Sequence, residues 1–209
     1  MTHSQLNKNK NVILRVENLS FSYSGTMDII RNFSLDVNST ERLCICAPSG
    51  TGKSTLLKLF AGYLKPSAGL ITINDVALPT SGVCPVQLIW QDPHSAFDPF
   101  MYLNKSLSQA GLVDDKLLQS FGVEKEWLTR YPHELSAGQL QRIAICRALL
   151  SRPKFLLADE ISSMLDARCE VQIWKAMCAH LSAEKIGLIF VSHSGNLIKQ
   201  VATRKIELK

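Results

Sequence analysis

The stretch "RLCICAPSGTGKSTLLKLFAGYL", residues 42–64, decides how this chain folds. Its opening, 42–47, is a short apolar run with no polar face, as in a strand buried on both sides. From Lys53 onward the apolar residues fall at helical spacing, and Gly62 and Pro66 mark where that helix ends. A glycine-rich turn joins the two. Residues 47–55 fit G-x-x-x-x-G-K-[ST] except at the first position, where Ala47 stands for Gly. The nine residues Ala47, Pro48, Ser49, Gly50, Thr51, Gly52, Lys53, Ser54 and Thr55 would cradle a polyphosphate on backbone N–H groups. Gly50 and Gly52 supply permissive backbone. Lys53 offers a cation to the β- and γ-phosphates, Ser54 a hydroxyl to Mg²⁺, and the helix adds its positive end. If position 47 needs a positive φ, Ala costs about 1 kcal/mol there.

Outward from this unit, strand and helix alternate. "NVILRVENLSFSY" (11–23) reads as strand, turn, strand, and "NFSLDVN" (32–38) as another alternating strand. "GLITIND", "VQLIW", "KFLLAD" and "IGLIFVS" are further strands. Helical patterns occupy 139–150, about 166–182 and 195–202, and "RKIEL" closes the chain as a last strand. From Asp98 to about 134 the pattern changes to short helical pieces. The expected fold is α/β: a mainly parallel sheet, an N-terminal antiparallel β subdomain and a short helical insertion at about 98–134. A polar tail (1–11) precedes a single domain spanning 12–209.

Bulk composition fits a packed core. The chain has 209 residues, 46% hydrophobic and 20% charged. No apolar run approaches the roughly 20 residues of a membrane helix, and the N-terminus has no apolar secretory signal. A cytoplasmic location is expected. The net charge of +5 suits anionic partners without choosing among them. No dense Lys/Arg run forms a nucleic-acid patch, so no nucleic-acid partner is expected. The six cysteines make no CxxC pair and read as reduced, buried thiols.

Two other places carry chemistry. "KFLLADE" (154–160) is an apolar strand ending in two carboxylates. Successive side chains diverge, so Asp159 can hold Mg²⁺ beside Ser54 while Glu160 faces the γ-phosphate as general base. Alone, the pair would be two solvated acids at a strand end. "YPHELSAGQLQRIAI" (131–145) places a small-residue turn before a regular amphipathic helix, a second anion-ready helix N-terminus. One small domain does not need two. Arg142 and Arg147 in that helix read as its solvated face.

These residues resemble the nucleotide-binding domain of ABC transporters over nearly the whole chain. "APSGTGKST" resembles the Walker A motif, and "LIWQDP" (88–93) the Q-loop with Gln91. "LSAGQ", made of Leu135, Ser136, Ala137, Gly138 and Gln139, resembles the LSGGQ signature. "FLLADE" resembles Walker B, "SMLD" the D-loop with Asp166, and "VSH" the H-loop with His193. The fold implied is that of the P-loop NTPases, and the cofactors implied are ATP and Mg²⁺. Tyr23 falls where the family's adenine-stacking aromatic lies, though it reads equally as a half-buried strand residue. His193 would contact the γ-phosphate and Gln91 would help hold Mg²⁺. Glu160, His193 and Gln91 would form the catalytic set.

The resemblance also accounts for the second anion site. Two such domains pack head to tail, and each signature serves the ATP of the other. The partners implied are a second ABC ATPase (self or paralogue), permease subunits in the membrane and, indirectly, an extracytoplasmic solute-binding protein. The chain would sit on the inner face of the membrane. "RYPHELSAGQ" and "QDPHSAFDP" resemble the oligopeptide, dipeptide and nickel import branch. Ala47, Ala137, Ile161 (for Pro) and Ser162 (for Thr) depart from the family pattern, and the chain stops on its last strand. These departures fit a pared-down subunit working with a paralogue. The competing reading is a soluble ABC ATPase outside transport, such as a phosphonate-cleavage companion. A non-hydrolysing regulatory module is the third, and the intact Glu160 and His193 count against it.

Overall fold

In the computed structural model, residues 11–23, 27–163 and 165–208 are described. The polar tail up to residue 10, Met164 of "SMLD" and Lys209 lie outside the described residues. The decisive stretch forms β3 (Arg42–Cys46), a loop, and α1 (Lys53–Phe60). β3 is central because it is apolar on both faces: Leu43 and Ile45 enter one core cluster and Cys44 the other. β7 (Phe155–Asp159) and β8 (Gly187–Val191) alternate in the same way. Leu156, Ala158, Leu188 and Phe190 face one cluster, and Phe155, Leu157, Ile189 and Val191 the other. Period-2 alternation between two buried faces is what makes these strands read as unbroken apolar runs.

The sheet orders as β6 (Val86–Ile89), β7, β8, β3 and β9 (Arg204–Glu207), all parallel. α4 (Ala137–Leu150), α5 (Ala167–Glu184) and α6 (Gly195–Val201) contribute to the first cluster. On the other face lies α1 with an antiparallel sheet of β2 (Ile30–Asn38), β1 (Ile13–Phe21), β4 (Ala68–Ile73) and β5 (Val76–Ala77). The expected α/β architecture, with a parallel core and an antiparallel N-terminal sheet, is what forms. The 98–134 segment contributes α2 (Leu103–Ala110), α3 (Asp115–Ser120) and 3-10 turns at Lys125–Thr129 and Pro132–Glu134.

Two local readings need correction. Residues 11–23 were expected as strand, turn, strand, but β1 runs through as one strand. Asn18 adopts φ +48, and its N–H donates to Ser34 Oγ at 2.9 Å, so a register shift kinks the strand without reversing it. α4 was expected to be amphipathic, yet it is buried nearly all round, down to Gln141 at 2% exposure. The helical segment covers the side that would otherwise meet water: α4 packs against α2 and α3. All six cysteines are free. Burial raises the Cys44 and Cys146 thiols to about 12, which keeps them protonated and inert. Among the described residues no helix is long and apolar enough to cross a membrane.

Candidate functional site

The loops after β3, β6, β7 and β8 leave the same edge of the parallel sheet, its carboxyl edge, where open α/β sheets place their ligands. The loop after β3 wraps its own lysine. Lys53 Nζ donates to the carbonyls of Ala47 and Pro48, both at 2.9 Å. The ammonium is thus nearly buried, at 7% exposure, with one donor left over. Gly52, with φ +90, is the N-cap of α1 and has no side chain to fill the cradle. A Cβ there would lie 2.7 Å from Ile29 Cγ2. Gly52→Ala should cost about 1–2 kcal/mol from the left-handed backbone, read as a lower urea midpoint. Ala47 is not among the residues with positive φ, so the strain expected there does not arise.

The two carboxylates at the end of β7 part company. Asp159 is 6% exposed and shares a hydrogen bond with the Ser54 hydroxyl. Burial raises its pKa above the usual range, and the Glu160 charge adds to that. The Ser54 hydrogen bond, Lys58 and Lys53 oppose it. Glu160 turns the other way. Its Oε1 lies 2.8 Å from His193 Nε2, and its Oε2 accepts from Gln91 Nε2 at 3.4 Å. Gln91 therefore reaches Glu160. Glu160 also adopts φ +48 while its N–H donates to Val191 O at 3.2 Å. A left-handed glutamate is uncommon and costs about 1 kcal/mol or more. The bend is what aims two adjacent carboxylates at different partners.

Tyr23 lies beside the end of the phosphate loop. It is 61% exposed, its edge meets Phe21, and its hydroxyl lies 3.3 Å from Thr55 Oγ1. The signature residues do not join the cluster. Ser136 caps α4 through a reciprocal box: Gln139 N–H donates to Ser136 Oγ at 3.3 Å, and Ser136 N–H donates to Gln139 Oε1 at 3.0 Å. The N–H groups of Ala137 and Gly138 make no hydrogen bond among the described residues. Ala137 is the first helical residue, where Ala suits the backbone. Leu135 is buried beneath this turn. Asp166 caps α5 by accepting from Arg168 and Cys169 N–H, both at 2.9 Å. Contacts with Cys169, first of all its backbone N–H, hold the Asp166 carboxyl below the usual range.

The chemistry of this edge suits Mg-ATP. Ser54 and Asp159 could offer a hard cation the oxygens it needs. Among the described residues no group of three or more His, Cys, Asp or Glu could hold a metal. The family model for ABC transporters matches residues 30–163, which include the phosphate loop, Gln91, the signature turn, Asp159 and Glu160. The chain belongs to the ABC transporter family. As a member it is an ATP-binding subunit and an ATPase.

Relatives agree over nearly the full length. The chain is 31% identical to a nickel import system ATP-binding protein of Staphylococcus aureus, over 94% of this chain and 87% of that one. It is 32% identical to an energy-coupling factor transporter ATP-binding protein of Mycoplasmoides gallisepticum, over 92% and 78%. The solved dimer of a bacterial ABC transporter cassette has the same fold, with a TM-score of 0.81 at 23% identity and 94% coverage of each chain.

Two side chains of α4 in this ABC ATPase depart from the expectation of the sequence. Arg142 and Arg147 do not form a solvated face. Arg142 Nη1 donates to the Phe121 carbonyl at 2.6 Å, and Arg147 lies over the Phe97 ring at 6.0 Å. Neither partner is visible in helical spacing, because Phe121 comes from the 98–134 segment and Phe97 from the turn just before it. Ser162, in the place of the family's Thr, donates to Glu170 Oε1 at 2.6 Å and so ties the end of the carboxylate loop to α5.

Proposed function

We propose that the chain hydrolyses ATP to power import of a small solute such as a peptide, nickel or a metal chelate. The supporting observation is the grip on Glu160. Groups from the ends of β6 and β8 converge on one carboxylate at the end of β7, beside the phosphate loop. In this reading Lys53 leaves the Ala47 and Pro48 carbonyls for the β- and γ-phosphates, and the N–H groups of 48–55 hold the rest. Tyr23 stacks on the adenine. Ser54 and Asp159 hold Mg²⁺, which neutralises charge on the phosphates when bound. Glu160 takes a proton from the attacking water, while His193 and Gln91 fix its orientation and face the γ-phosphate.

The exposed, one-sided face fits a site completed by a second chain. Tyr23 is 61% exposed and the His193 side chain 57%. Ser136 and Gly138 of each chain would reach the γ-phosphate held by the other, with Asp166 at the same junction. Loss of that phosphate removes the charge that joins the two faces, and the pair opens. The partners are a second ABC ATPase and permease subunits at the cytoplasmic face of the membrane, with a solute-binding protein acting beyond it. The nickel import relative supports a metal solute within this reading.

The test is turnover by the purified chain, alone and mixed with a paralogous ATPase, paired with nickel uptake in cells lacking the gene. Turnover with restored uptake supports nickel import. Turnover without any effect on nickel moves the solute elsewhere. No turnover in either mixture overturns the reading.

A further inference from the structure

The Arg142 guanidinium joins three parts of the fold that the phosphate chemistry leaves separate. Nη1 donates to the Phe121 carbonyl at 2.6 Å, at the end of α3. Nη2 reaches Cys169 Sγ and Gln172 Oε1, both at 3.4 Å, in the first turns of α5. Arg142 itself stands on α4, six residues beyond the Ser136 cap, a rise of about 9 Å. Asp166 caps α5 and Ser136 caps α4, so one side chain ties together the helices that begin at these two turns.

The surroundings are shaped for this cation. Gly122 follows Phe121 with φ +65, and a Cβ there would lie 2.9 Å from Arg142 Nη1. A glycine here meets the left-handed backbone without strain and leaves the guanidinium its place. α3 and α5 face each other across an open groove lined by Gln119, Ser120, Lys175 and Ala179, and Arg142 lies in its wall. A planar guanidinium with five donors can serve separate acceptors in fixed geometry, whereas a lysine ammonium acts as a compact point charge on a flexible stem.

We propose that Arg142 is a positioning residue that fixes the Ser136 turn, the Asp166 turn and the end of α3 as one rigid unit. This face then meets a partner's nucleotide as a single surface, and movement of the helical segment carries the signature turn with it. The inference rests on the reading that the Ser136 turn serves the ATP of a second chain. Anion-binding N–H groups act only when aimed to within about 0.5 Å, so loosening the unit weakens closure and leaves nucleotide binding on the phosphate loop untouched.

The experiment uses the full chain carrying Glu160→Gln. Mg-ATP-driven association is followed by light scattering, and nucleotide affinity of the single chain by a fluorescent ATP analogue. Adding Arg142→Met should leave nucleotide affinity within about twofold and weaken association about tenfold. Arg142→Lys should recover part of it through the Phe121 carbonyl. The pair Cys169→Ala and Gln172→Leu keeps Arg142 but removes its α5 acceptors. It should act in the same direction, and it carries the test if Arg142→Met does not fold. A merely structural role would lower nucleotide binding and thermal stability together. Association unchanged in these variants overturns the inference alone. A Glu160→Gln chain that binds ATP yet never associates overturns the two-chain reading, and the role of Arg142 with it.

Discussion

Replacing Glu160 by Gln should lower ATP turnover by about 10²–10⁴-fold while leaving ATP binding near the wild-type level. The change is isosteric. It removes the ability to accept a proton and keeps an amide where a carboxylate stood, so His193 Nε2, now 2.8 Å away, retains a partner. The phosphate loop is untouched, because Lys53 and the 47–52 backbone make no hydrogen bond to Glu160 among the described residues. Binding and chemistry should therefore separate cleanly. If the γ-phosphate joins two chains, slow hydrolysis also prolongs the closed pair, visible as a Mg-ATP-dependent doubling of mass. Steady-state phosphate release decides the matter. A variant within tenfold of wild-type turnover would remove Glu160 from the role of base.

The left-handed backbone at Glu160 bears on what a sequence can reveal. The apolar run 155–158 and the two acids after it were legible, and so was the strand, because both faces of β7 are buried. The φ of +48 that separates the acids was not. Glutamate carries no signal for that conformation, which the Val191 carbonyl and the core beneath Ile161 impose from outside. The same division holds elsewhere. The Lys53 loop and the Ser136 cap are local, made by residues a few positions apart, so spacing alone exposes them. The kink at Asn18 and the Arg142 bridge depend on partners 16 to 30 residues away, and the full burial of α4 on α2 and α3. Periodicity reports which face is apolar but not what covers the other face. That is why α4 read as amphipathic and its arginines as solvated.

Asp159→Asn should move stability and activity in opposite directions. The carboxyl is buried, and its pKa is raised because desolvation outweighs the Ser54 hydrogen bond. A carboxyl with a raised folded-state pKa binds its proton more tightly in the folded chain than in the unfolded one. Its contribution to stability is fully present below the unfolded value of about 3.9 and is lost as pH rises through the folded value. At pH 7 the nucleotide-free wild type holds a desolvated charge that Asn lacks. The variant should then unfold at a higher urea concentration, and its advantage should shrink as the pH is lowered toward 4. Mg-ATP should reverse the order. Asn offers a neutral oxygen, so Mg²⁺ affinity should fall by about 10–100-fold, and turnover should fall with it. Bound nucleotide stabilises only the chain that holds it, so the wild type should overtake the variant as Mg-ATP is added. Urea midpoints at pH 7 and near pH 4, with and without Mg-ATP, give the four numbers needed. A variant already less stable than wild type at pH 7 without nucleotide would mean that the Asp159 charge holds the fold together, and the assignment of this buried acid to the metal would lose its physical basis.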